Sequence, residues 1–291
     1  MFRKAHRGTF LGFVLMSGMF ISVVTFFFTV DNGRAMEGHT IYLVTDIVIH
    51  VIVLSAVLLA GYQMSVLSFT AKGLGIDDIL LFISMSGSFF FEMSLMVSTS
   101  TCLSYGDLCE DSDTEDYIII LSLVSSILAG THTILQLLLV CAGLRMYSAT
   151  RQHLKQMPGR GTITFLIISN ITLWVFRTVQ VKEIEMGIQE EFYGTFAWLF
   201  IMNLCLPLQL FFFFHSSVCL ADIWSIAYKP VQLHYHNIQR SETTRQGTIT
   251  SSSQETTTSS NINAIDNQAF YINEEQDKQE RRGTKEDEAK L

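Results

Sequence analysis

Six apolar runs separated by short polar breaks set the pattern of this chain. The first extends from Thr9 to Val30 and ends at Asp31, Arg34 and Glu37. The second covers Ile41 to about Met64 and is followed by a turn at Lys72, Gly73 and Gly75. The third covers Ile79 to about Val97, and an acidic loop from Ser98 to Asp116 comes after it. The fourth is Tyr117–Leu144; the next loop carries Arg145, Arg151, Lys155 and Arg160, with Pro158-Gly159 as a helix breaker. The fifth is Ile163–Val179, and Glu183, Glu185, Glu190 and Glu191 mark the loop beyond it. The sixth lies within Tyr193–Trp224 and is free of charge from Phe196 to Phe214. Each run approaches the roughly 20 residues that a helix needs to cross a bilayer. Lipid leaves an open chain no other way to satisfy its backbone, so each run predicts a transmembrane helix. The fold class expected is an all-α polytopic membrane protein with six spans.

Composition agrees. The hydrophobic fraction is 49%, with 22 Phe and 3 Pro, although the stretch after about Arg240 is rich in Ser, Thr, Gln and Glu. That tail cannot bury a core and is expected to be disordered. The domains expected are an N-terminal segment 1–8, a six-helix domain 9–228 and a tail 229–291. Arg3, Lys4 and Arg7 before the first run resemble the start of a signal peptide, but the run is long and lacks a small-residue cleavage site, so it reads as a first span. The net charge of −8 sits in loops and tail and implies no nucleic-acid partner. The bilayer is the expected partner.

Lys and Arg near the span ends concentrate at the N-terminus, the Lys72 turn, the Arg145–Arg160 loop and the segment after Trp224, while the alternate loops are acidic. The positive-inside rule then puts both termini in the cytosol. It also puts Cys102 and Cys109 outside, where a disulfide is chemically allowed; two free thiols are the alternative.

Polar groups within the spans carry the functional reading, because each is costly in lipid. Asp46 and His50 are four apart, on one helix face, and so are His132 and Gln136. Glu92, Asn170, Arg177, Tyr193 and His215 complete the set. Acids, imidazoles, amides and phenols can pass or bind protons through hydrogen-bonded water. Blander readings stand beside this one. Asp46 and Glu92 at an outer interface would cost little. Gln136 and Asn170 would serve as interhelical glue worth about 1 kcal/mol. His215, reached through Phe211–Phe214 and followed by Ser216 and Ser217, would snorkel to the interface with Trp224 as anchor. The small residues of SMSGS in the third span read as packing sites. No metal-ligand spacing, phosphate loop or nucleophile elbow occurs, so neither an enzyme nor a cofactor is expected.

The segment from Pro158-Gly159-Arg160 through ITFLIISNITLWVFRT to YGTFAWLFIMNLCLPLQLFFFFHSSVCLADIW resembles the otopetrin family of proton channels, as does HTILQLLLVCAGLRMYS more weakly. The resemblance implies the second, C-terminal six-helix half of a twelve-span protein, barrel-like and dimeric, as a homodimer or with another otopetrin. It implies proton conduction across the plasma membrane. The family's glutamine–asparagine–tyrosine triad falls on Gln136, Asn170 and Tyr193 as a constriction, and its late histidine on His215. Asp46, His50, Glu92 and His132 would add titratable or gating steps. Two positions depart from the family pattern: Phe213 stands where an arginine is usual, and Gln180 where a glutamate is usual. The rival expectation is a non-conducting half-channel or regulatory subunit that pairs with a fuller otopetrin. A six-span solute transporter is a third, for which no inverted repeat is visible.

Overall fold

The computed structural model describes residues 3–70, 73–104, 116–148, 157–183 and 187–228. Among the described residues seven helices form: α1 Arg3–Asp31, α2 Ala35–Met64, α3 Ile76–Ser104, α4 Asp116–Gly143, α5 Arg160–Glu183, α6 Gly187–Tyr193 and α7 Thr195–Ile226. All but the short α6 contain stretches long and apolar enough to cross a membrane. The protein is therefore an all-α polytopic membrane protein.

Several helices outrun their apolar cores. The polar break after the first run shrinks to Asn32–Arg34, because Gly33 takes a left-handed φ of 75° that lets the chain reverse tightly. Arg34 then pairs with Glu37 at 3.1 Å inside the first turn of α2. Part of the acidic stretch after the fifth run coils into α6. The last helix runs unbroken through Pro207 and through His215-Ser216-Ser217.

The helices close into a ring. α1 packs on α2, α2 on α4, α4 on α3, α3 on α7, α7 on α5, and α5 back on α1. The order α1–α2–α4–α3–α7–α5 is that of a barrel, with one face of every helix turned inward. Glycines allow the closest approaches. A Cβ on Gly87 of α3 would run into Leu208 of α7, and one on Gly12 of α1 would run into Ile168 of α5. Small residues at such seams bring backbones together where lipid offers no hydrophobic drive. Gly87 and the buried Ser84 and Ser88 thus give the SMSGS segment its packing role.

The outer surface is apolar, unlike that of a water-soluble bundle. Phe10, Phe20, Phe28, Phe90, Phe196 and Phe200 point outward and are exposed, as lipid-facing residues must. Val53, Ala60, Met64, Leu81, Val140, Leu166 and Phe212 fill much of the interior.

One end of the barrel is tied together. Strand β1 (Ser68–Phe69) pairs antiparallel with β2 (Met146–Tyr147), joining the α2–α3 and α4–α5 connections. Asp78 at the start of α3 takes a two-point ion pair from Arg145, at 3.1 and 3.0 Å. Such fork-on-carboxylate geometry is among the stronger polar contacts. The Arg160 guanidinium sits 3.9 Å over the Trp224 ring. Tyr228 donates its hydroxyl to the Pro158 carbonyl, and burial pushes its phenol up to about 12, so it remains a donor at neutral pH.

Candidate functional site

Inside the barrel the polar side chains meet in one chain of contacts that crosses five helices. At its start on α5, Asn170 donates from Nδ2 to the Leu166 carbonyl at 2.8 Å. That carbonyl can only accept, so it fixes the amide's orientation and leaves Asn170 Oδ1 as an acceptor. Gln136 of α4 donates to Oδ1 from its Nε2. Gln136 Oε1, 2.9 Å from His132 Nε2, is then the acceptor for an imidazole N–H one turn earlier. The His132 ring lies edge-on to His50 of α2, with centroids 5.4 Å apart. His50 Nδ1 is 2.9 Å from the Asp46 carbonyl and must carry the proton there. The Asp46 carboxylate lies 3.5 Å from the same nitrogen.

The contacts continue toward α3. Asp46 Oδ2 accepts from Ser125 of α4 and pairs with Arg177 of α5 at 3.2 Å. The same guanidinium nitrogen is 3.7 Å from Glu92 of α3, and the other donates to Tyr42 at 3.3 Å. Gln209 of α7 donates to Glu92 at 2.8 Å. Asp46, Glu92 and Arg177 are each no more than 2% exposed. Two carboxylates face one guanidinium, so the fully ionised trio carries one net negative charge.

The chain runs along the barrel, not across it. Asn170 and Arg177 are seven residues apart on α5, or about 10 Å of rise. Two imidazole nitrogens along the way, His50 Nε2 and His132 Nδ1, have no hydrogen-bond partner among the described residues. The tautomers set above make both of them acceptors. A buried polar atom without a partner is costly, and what suits two neighbouring acceptors is a donor such as water or a proton.

The structure brings together most of the expected residues. Asp46 and Glu92 lie in the interior and not at an interface. Gln136 bonds Asn170, but Tyr193 does not join them: its hydroxyl donates to the Ser94 carbonyl of α3 at 3.0 Å, and its ring stacks on Trp198. Burial raises the Tyr193 phenol above its ordinary value, so it acts there as a neutral donor. His215 also stands apart. Its ring stacks on Phe211 at 5.2 Å, and its Nε2 lies 3.9 Å from Asp77 at the start of α3. Cys102 is disulfide-bonded, while Cys109 lies outside the described residues. The Gln180 side chain also lies outside them. Phe213 is buried and stacks over His132 with ring planes 13° apart, so an apolar ring fills that place.

The sequence marks Arg177 as an intramembrane charge without a task, and does not single out Gln209, Tyr42 or Ser125. A signal existed for two of them. Arg177 falls two turns beyond Asn170 on one stripe, and Gln209 is a rare polar residue in an otherwise apolar run.

A barrel of six spans with a buried, charge-bearing polar chain defines a polytopic membrane protein whose polar groups are turned away from lipid. The otopetrin family model matches residues 2–214, and the chain belongs to that family. It is 28% identical over 229 residues to the proton channel OtopLc of Drosophila melanogaster, a stretch covering 78% of this chain and 14% of that protein. It is 39% identical over 61 residues to the human proton channel OTOP3, covering 21% of this chain and 10% of that one. For the mouse proton channel OTOP2 the figures are 26% over 81 residues, 28% and 14%. The match thus spans a small part of the length of these relatives.

Proposed function

We propose that this chain forms the proton-conducting path of an otopetrin-type channel, as one six-helix half. The observation that carries the reading is the series of contacts Asn170–Gln136–His132–His50–Asp46–Arg177–Glu92–Gln209 within the barrel, with the His132–His50 step a ring contact. Asn170 and Gln136 hold a narrow amide constriction. His132 and His50 supply acceptor nitrogens between which water carries a proton. Asp46 and Glu92 bind the proton in turn, and Arg177 keeps both carboxylates in reach while limiting how much negative charge they hold together. Such intramembrane carboxylates and imidazoles are the usual parts of proton relays.

A second reading is favoured by Arg177 itself. A fixed cation beside the path opposes the entry of protons, and Phe213 caps His132 with an apolar ring. On this reading the chain is a non-conducting half that modulates a fuller otopetrin. One experiment separates the two: the purified chain in proteoliposomes with an interior pH dye, given an acid step. Proton influx that falls at least tenfold in His50→Ala, with ordinary folding, supports conduction. No influx alone, with altered current when the chain is expressed beside a full-length otopetrin, supports the modulatory half.

The same reading places the chain in the plasma membrane as a homodimer, or paired with another otopetrin, with both termini cytosolic. The charge asymmetry across the spans supports the orientation. An epitope inserted between Ser98 and Asp116 should be labelled on intact cells; labelling only after permeabilisation reverses the topology. A monodisperse monomer in both mild detergent and nanodiscs would remove the dimer.

A further inference from the structure

The seam between α1, α2 and α5 does not close at the end that carries β1 and β2. A groove of about 710 Å³ opens there on the outer face of the barrel. Its back is sealed where Gly8 of α1 meets the Gly161 backbone of α5. Its walls change character along their length. Leu11, Ile52, Leu59 and Phe165 make an apolar channel, and Arg7 and Gln63 stand at its end. Arg7 is exposed, and among the described residues no carboxylate pairs with it.

The length of the groove selects its occupant. From Gln63 to Ile52 is eleven residues of α2, or about 16 Å of helix rise. Half of a hydrocarbon core about 30 Å thick is about 15 Å. The groove therefore spans a single leaflet, from headgroup depth at Gln63 and Arg7 to the bilayer midplane at Ile52. Its outer wall is absent, since Leu11, Ile52 and Leu59 are exposed; whatever fills it arrives from the lipid phase.

We propose that this groove is a binding site for an anionic glycerophospholipid of the leaflet on the Arg7 side. The phosphate sits against Arg7 and the Gln63 amide, which Thr162 holds in place at 2.8 Å, and one acyl chain lies between Leu11, Leu59 and Phe165 toward Ile52. Arginine grips phosphate through two parallel N–H donors. Basic residues at the cytosolic surface are drawn to anionic lipid, and the topology proposed above puts Arg7 on that side. The site lies outside the barrel and uses none of the residues of the internal polar chain. Its lipid would fill the seam between three helices and set how tightly α1 and α5 close.

The test uses the full chain in mild detergent, titrated with phosphatidylserine, phosphatidylcholine, soluble glycerophosphoserine or inorganic phosphate. Bound lipid is counted by native mass spectrometry and the melting temperature followed in parallel. Wild type should retain phosphatidylserine at least tenfold more tightly than phosphatidylcholine, and the two soluble phosphates should do nothing. Arg7→Gln should reduce that preference to about onefold. Ser55→Trp, which fills the groove from its exposed wall, should abolish binding of both lipids. A preference that survives Arg7→Gln, or binding that survives Ser55→Trp, overturns the site. Equal stabilisation by glycerophosphoserine overturns the lipid and leaves a phosphate site. Should either variant fail to fold, a photoactivatable phosphatidylserine on the wild-type chain decides: crosslinks at 7–11, 52–63 and 157–165 support the groove, and crosslinks confined to other surfaces refute it.

Discussion

Replacing Arg177 with glutamine tests the electrostatic centre of the barrel. Arg177 lies 3.2 Å from Asp46 and 3.7 Å from Glu92. At an effective dielectric of ~20, unit charges at such distances attract by about 4 to 5 kcal/mol per pair. Desolvation of three buried charges offsets much of that gain, so the net worth of the trio is small. Removing only the cation is different. It leaves two carboxylates facing each other in a dry site, and breaking a buried pair in this way costs about 3–5 kcal/mol. For a domain of this size the loss corresponds to a fall of roughly 10 °C in melting temperature, at 2–4 °C per kcal/mol. The assay is built in, because Cys205 and Cys219 are free and buried. A thiol-reactive dye reports their exposure as the detergent-solubilised protein is heated. Arg177→Gln should melt far below wild type, and Asp46→Asn combined with Arg177→Gln should recover part of the loss, with a coupling of about 1–3 kcal/mol between the two sites. An Arg177→Gln protein that melts with wild type, or a double variant whose losses simply add, refutes the idea that the guanidinium holds the carboxylates together.

The other predictions concern the Gln136–Asn170 pair and residues beside the polar chain. Phe213→Arg would bury an unpaired cation against His132, so it should lower stability by several kcal/mol and reduce surface expression, read by the same melting assay and by surface biotinylation. Gln136→Leu and Asn170→Leu should each reduce proton flux at least tenfold in proteoliposomes, whereas Tyr193→Phe should cost about 1 kcal/mol of stability and change flux less than twofold. The Tyr193 phenol has a raised pKa, so the folded state holds its proton more tightly. The stability this adds is present below the unfolded value of about 10 and fades as pH climbs through the folded one; a melting-temperature series up to pH 11 in wild type and Tyr193→Phe measures it. His215→Ala and Asp77→Asn should lower the melting temperature by a similar small amount, because the two groups form one contact between α3 and α7. A shift in one variant only dissolves that pairing.

The six spans are legible in the sequence alone, since runs of about 20 apolar residues admit no other structure in lipid. The sequence also determined which polar groups must avoid lipid, and the four-residue spacings of Asp46–His50 and His132–Gln136 placed each pair on one face. Helix spacing says nothing about which helices are neighbours. The ring order α1–α2–α4–α3–α7–α5 decided that Arg177 reaches Asp46 and Glu92 from a third helix, and that Gln209 reaches Glu92 from a fourth. It decided equally that Tyr193 bonds Ser94 and not the Gln136–Asn170 pair, because α6 carries it to α3. Helix ends strayed from the apolar boundaries for a related reason: once a helix has neighbours, polar turns beyond the lipid core extend it without cost to the backbone. The lipid-facing groove was invisible in the chain, because it is a gap between three helices, and a gap has no residue of its own.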